Sequence, residues 1–169
     1  MIEGPLQQRY QLLHGGDSEA ARAELARLKA SGREVVLVSA CLLGVRCRHD
    51  GGDKQNDAAV ARVGDVELLP VCPEVLAQFG VPRPSITLSA DLKVATDAKG
   101  NDVTLALAQG ARLADLYATK VGATRALLKE RSPSCGSQKV HGPDGLQDGE
   151  GFLTTRLRRR SLPIMSEEG

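Results

Sequence analysis

The hydrophobic pattern changes character at about residue 33. Before it, Leu6, Tyr10 and Leu13 recur at helical spacing up to Gly15-Gly16. Ala21, Leu25 and Leu28 repeat the pattern in a second stretch that Asp17 or Ser18 caps and Gly32 stops, so a helical hairpin is predicted. Beyond it, short runs of branched aliphatic residues alternate with glycine-bearing turns and helical stretches. Runs lacking in-out alternation suit strands covered on both faces, as in a parallel sheet between helices. Strands are predicted over 34–39, 66–71, 124–129 and 162–165. Helices are predicted over 57–63, from Pro73 to Gly80, over 103–118 behind an Asp102 cap, and over 151–160. Residues 81–88, with Pro82 and Pro84, cannot form a central strand and are expected as a loop, whereas 93–96 suggest a small hairpin or edge strand.

The fold class expected is α/β: a single Rossmann-like domain over 34–169, with a mainly parallel sheet flanked by helices, plus an N-terminal helical extension over 1–33. A chain of 169 residues with 41% hydrophobic content can bury one substantial core. Its net charge of +1, from 22 basic and 21 acidic side chains, offers no general attraction to nucleic acid or anionic membrane. Four aromatic residues and no Trp also argue against a base-stacking platform. The local exception is Arg156 with Arg158-Arg159-Arg160, which reads more simply as cations at a helix C-terminus. No apolar run reaches the roughly 18 residues of a membrane span. The start, Met1-Ile2-Glu3-Gly4-Pro5, lacks the order of a secretory signal, so a cytoplasmic protein is expected.

In a reducing compartment, four cysteines point to metal binding, catalysis or simple burial before disulfides. Cys41, Cys72 and Cys135 each follow a predicted strand, which would deliver three thiols to one sheet edge, where open α/β sheets bind ligands. Three chemistries fit. Zinc could be held by Cys41, Cys47, His49 and Cys135, although none of the cysteines has the close paired spacing usual for zinc. The stretch from Cys41 to Arg48 loosely matches an anion-cradling loop around an activated thiolate. Thiolates converging from separate strands suit an iron-sulfur cubane, which tolerates scattered ligands.

The stretches Val38-Ser39-Ala40-Cys41-Leu42-Leu43-Gly44, Cys47-Arg48-His49-Asp50-Gly51-Gly52, Pro70-Val71-Cys72-Pro73-Glu74, Pro82-Arg83-Pro84, Gly100-Asn101-Asp102-Val103-Thr104 and Leu128 to Ser137 together resemble the thiouracil desulfidase family, in order and spacing, over about Val35 to Glu168. The resemblance implies a 4Fe-4S cluster held by Cys41, Cys72 and Cys135, with Cys47 not a ligand. It also implies an open iron that takes the sulfur of a small thiolated nucleobase, such as 2-thiouracil or 4-thiouracil, in a hydrolase- or lyase-type reaction giving uracil and sulfide. Where the family often has a further proline and an acidic residue after Pro82-Arg83-Pro84, this chain has Ser85-Ile86-Thr87.

Such a reaction needs a proton acceptor for the attacking water and a donor for the ring nitrogen or departing sulfur. Glu74 and Ser132, close in sequence to Cys72 and Cys135, are the catalytic candidates. Their plainer readings are a helix-terminal carboxylate and a turn hydroxyl. Asp50 and Lys129 are candidates for binding substrate, as is Ser134, which could instead donate to a thiolate. Two rival functions remain at this level: a non-catalytic iron-sulfur or zinc protein that senses redox state or binds a partner, and a desulfidase acting on thiolated tRNA.

Overall fold

The computed structural model describes residues 4–169; residues 1–3 of the expected extension lie outside the described residues. Helices α1 (Pro5–His14) and α2 (Ser18–Ala30) open the chain. Pro5 occupies the first turn of α1, and Asp17 caps α2 by accepting the N–H groups of Glu19 and Ala20. Strand β1 (Val35–Ser39) runs into a 3-10 turn at Ala40–Leu43, followed by α3 (Asp57–Ala61), β2 (Glu67–Val71) and α4 (Pro73–Leu76). A hairpin of β3 (Ile86–Leu88) and β4 (Ala95–Asp97) leads to the long α5 (Thr104–Val121) and β5 (Arg125–Leu128). A second hairpin, β6 (Lys139–Gly142) and β7 (Gly145–Asp148), precedes α6 (Phe152–Arg159) and β8 (Ile164–Ser166).

Strands β2, β1, β5 and β8 pair in that order, all parallel. The chain leaves β1 for a neighbour on one side and later returns to its other side for β5. The connections after β1 and β5 therefore diverge and open a crevice at the carboxyl ends of the strands. Every residue of β1 is buried. Val35 and Leu37 join one core with Leu25, Leu28, Ala114 and Leu157, whereas Val36 and Val38 join another with Tyr10, Ala59 and Val63. Burying one such aliphatic side chain contributes about 2 kcal/mol, so this doubly covered strand is the mechanical centre of the sheet. Helix α1 lies along β2 and sends Leu13 to the first core and Tyr10 to the second.

Two expectations are corrected. Helix α4 is one turn long, not continuous to Gly80, because Gln78 and Gly80 both adopt positive φ and end it. Residues 86–88, expected in a loop, pair with 95–97: the prolines stop at Pro84, and the N–H groups beyond it are free to form a ladder. The glycine-bearing stretch before α6 contains the β6–β7 hairpin. Gly110 lets α5 press onto α4, since a Cβ there would stand 2.0 Å from the Pro73 carbonyl oxygen. No helix among the described residues is long and apolar enough to cross a membrane.

Candidate metal-thiolate site

The crevice becomes a cavity of about 540 Å³ whose wall includes Cys41, Cys72 and Cys135. Each arrives on a different segment: Cys41 in the 3-10 turn after β1, Cys72 as the residue capping α4 after β2, and Cys135 in the loop after β5. All three are buried free thiols. The 3-10 turn closes on Gly44 in the left-handed conformation, and Lys54 and Asn56 donate their N–H groups to the carbonyls of Cys41 and Leu42. That loop brings a fourth thiol, Cys47, to the same wall.

Glu130 organises the Cys135 loop. Although 2% exposed, its carboxylate accepts the N–H groups of Ser137, Gln138 and Lys139 and the hydroxyls of Ser137 and Ser166. Burial works to raise its pKa, but these donors outweigh burial and hold it down at about 2. Ser132 Oγ accepts the N–H groups of Ser134 and Cys135 at 3.1 and 3.0 Å, so the hydroxyl proton is left to be given away. Thr154 donates to the Cys135 carbonyl at 3.0 Å, tying the loop to α6.

Cys72 has the densest surroundings. Its thiol donates to the Cys47 carbonyl at 3.7 Å, and interaction with the Cys47 thiol holds Cys72 below the ordinary thiol range and pushes Cys47 above it; the facing Arg83 acts on Cys72 in the same direction. Burial, then the neighbouring Cys72, raises Cys41 to about 12, and burial likewise raises Cys135. Arg83, 8% exposed, donates to Glu74 Oε1 at 3.0 Å and to the carbonyls of Cys47 and Gly80 at 2.9 and 3.0 Å. On the far side, the Cys72 N–H donates to His14 Nε2 at 3.0 Å. Burial lowers His14 to about 4.

Of the residues singled out from the sequence, Cys41, Cys72, Cys135, Glu74, Ser132 and Lys129 are brought together in the cavity wall. Lys129 Nζ donates to Glu167 and to the Glu130 carbonyl. Asp50 and Ser134 are not brought there. Asp50 is exposed and accepts the Gly52 N–H, and Ser134 is wholly buried with an unpartnered hydroxyl. Arg83 and His14 were given no role from the sequence. The Pro82-Arg83-Pro84 motif marked the first; nothing in the spacing marked the second. Arg48, Lys54, Lys129 and Arg131 make the wall cationic, which suits an anionic centre or substrate. The arginine run lies elsewhere: Arg156 and Arg160 both pair with Asp115, and Arg158 pairs with Glu150.

Among the described residues, no three His, Cys, Asp or Glu side chains stand close enough to hold one metal ion. The compact zinc set of Cys41, Cys47, His49 and Cys135 is therefore not formed. The thiols are instead spread around a cavity much larger than an ion, a donor set fitted to a polynuclear metal-sulfur group.

Fold and site together define an α/β protein with a thiol-lined cavity at the carboxyl edge of a parallel sheet. The chain belongs to the 2-thiouracil desulfurase family, whose model matches residues 36–169. It is 36% identical to a solved [4Fe-4S]-dependent thiouracil desulfidase, TudS, with a TM-score of 0.71 over 80% of this chain and 91% of that one. It is also 31% identical over 145 residues to the uncharacterized protein YbbK of Bacillus subtilis (strain 168), covering 79% of this chain and 95% of that protein.

Proposed function

We propose that this chain is a 4Fe-4S-dependent desulfidase that converts thiolated pyrimidine bases, 2-thiouracil or 4-thiouracil, into uracil and sulfide. The observation that carries this reading is the arrival of Cys41, Cys72 and Cys135 at one cavity from the ends of three neighbouring parallel strands. These three thiolates would hold the cluster, and the cationic wall would offset the negative charge of thiolates and sulfides taken out of water. When bound through three side chains, such a cluster supplies an iron with a vacant position, a thiophilic Lewis acid for the thiocarbonyl sulfur.

The remaining chemistry belongs to the chain. Water replaces sulfur at the ring carbon, a C–O bond forming as the C–S bond breaks, with no net oxidation. Glu74, oriented by Arg83, accepts the proton of that water, and the Ser132 hydroxyl donates toward the ring nitrogen or the departing sulfur. Lys129, anchored by Glu167 in the cavity wall, would donate to the substrate's exocyclic groups. A free base is the favoured substrate, because three of the four arginines that would suggest tRNA are paired and all four lie outside the cavity wall.

The test is metal analysis of anaerobically prepared protein, together with turnover. About four irons and four acid-labile sulfides per chain are expected, with thiouracil consumed and uracil and sulfide formed in equal amounts. A colourless protein carrying zinc and inert toward thiouracil would sink the proposal.

A further inference from the structure

Helix α1 lies outside the segment that matches the family, yet its last residue touches the candidate site. His14 Nδ1 stands 2.9 Å from the Tyr10 carbonyl oxygen, and Nε2 stands 3.0 Å from the Cys72 amide nitrogen. A carbonyl can only accept and a backbone N–H can only donate, so the ring carries its proton on Nδ1 and offers Nε2 as an acceptor. Its orientation is held on three sides. The Tyr10 ring stacks on it with centroids 4.0 Å apart; Tyr117 donates to the Leu13 carbonyl at 3.1 Å; and Arg9 bridges α1 to Glu24, Glu67 and the Leu68 carbonyl.

The bond matters because of where Cys72 sits. It follows the last residue of β2 and caps α4, so its N–H belongs to neither the strand ladder nor the helix ladder. A buried donor of this kind needs a partner, and α1 provides it. We infer that His14 is a positioning residue for the metal centre: by accepting the Cys72 N–H it fixes the backbone from which the Cys72 thiolate and the Glu74 carboxylate both project. This rests on the proposed role of Cys72 as a cluster ligand. Side chains that orient metal ligands from behind commonly change metal retention about 10- to 100-fold when removed.

Three variants separate this role from simple packing. His14→Gln keeps an acceptor near the Nε2 position, His14→Asn keeps a partner for the Tyr10 carbonyl but falls short of Cys72, and His14→Leu keeps neither. Each is loaded anaerobically with iron and sulfide and challenged with a chelator while the visible absorbance is followed. The electron paramagnetic resonance spectrum of the reduced protein is recorded alongside. His14→Asn and His14→Leu should lose the cluster about tenfold faster or more and show an altered spectrum, whereas His14→Gln should stay near wild type in both. In cluster-free protein, the Cys72 amide should lose its protection from hydrogen exchange in His14→Asn and keep it in His14→Gln.

Wild-type spectra and retention in His14→Asn would overturn the inference while leaving the functional reading intact. Should His14→Leu fail to fold, His14→Asn against His14→Gln decides alone. Wild-type protein that takes up no iron and sulfide would overturn the functional reading and this inference with it.

Discussion

Cys47 and Cys135 line the same cavity, but they reach it differently. Cys135 comes from a loop that five hydrogen bonds to Glu130 hold rigid, whereas Cys47 comes from the turn after the 3-10 segment and is engaged with the Cys72 thiol. Cys135→Ala should abolish cluster uptake, measured as iron per chain, and Cys47→Ala should spare it; equal damage would reassign the ligands. Glu74→Gln and Ser132→Ala should retain the colour of the loaded protein but lower turnover about 100-fold or more. Full activity in either variant would remove that residue from the chemistry. At this scale the sequence set three thiols just past strand ends, and the structure brings those three to one cavity wall. Asp50 and Ser134 lie outside that wall, because neighbouring positions in a loop can face opposite ways, and nearness along the chain says nothing of direction. His14 was invisible for the opposite reason, since 58 residues separate it from the amide it accepts.

Elements read from dense aliphatic runs, β1 and β2 above all, were legible, and so was the amphipathic α5. Of the two small hairpins, the run 93–96 signalled the β4 side of the first, but neither β3 nor the second hairpin was legible. Lys139–Gly142 and Gly145–Asp148 hold few β-branched residues, and what makes them strands is mutual pairing together with packing, as where buried Val140 joins Ile86, Leu88 and Ala95. The loop between β5 and β6 depends instead on a buried charge. Glu130→Gln should cost about 3 kcal/mol in urea unfolding of cluster-free protein, because an amide replaces an acceptor-only group facing five donors. The sign with pH follows from the depressed carboxylate. With the native pKa near 2 against an ordinary 4.5, the contribution is complete above pH 4.5 and is lost as pH falls toward 2. The stability gap between wild type and Glu130→Gln should therefore narrow over that window. A gap independent of pH would mean that the carboxylate is not what orders the loop.

Across the whole molecule, uninterrupted apolar runs signalled a sheet covered on both faces, but strand order is not written in such runs. Nothing in the hydrophobic pattern says that β5 lies on the opposite side of β1 from β2, although that arrangement opens the crevice. The relation of residues 1–33 to the remainder is likewise a question of shared core. Leu13, Leu25 and Leu28 are each at most 4% exposed and belong to the same buried cluster as Leu37, Leu69 and Leu128 of the central strands. A hairpin merely laid on a finished domain would melt by itself; one that completes the core of a sheet face should unfold with it. Leu28→Ala, which empties a site 1% exposed, should then destabilise the entire chain by about 3 kcal/mol. Calorimetry and circular dichroism should show one transition moved to lower temperature. A separate early transition that leaves the main one in place would identify residues 1–33 as an independent appendage, and the grip of α1 on Cys72 would then loosen well before the sheet itself unfolds.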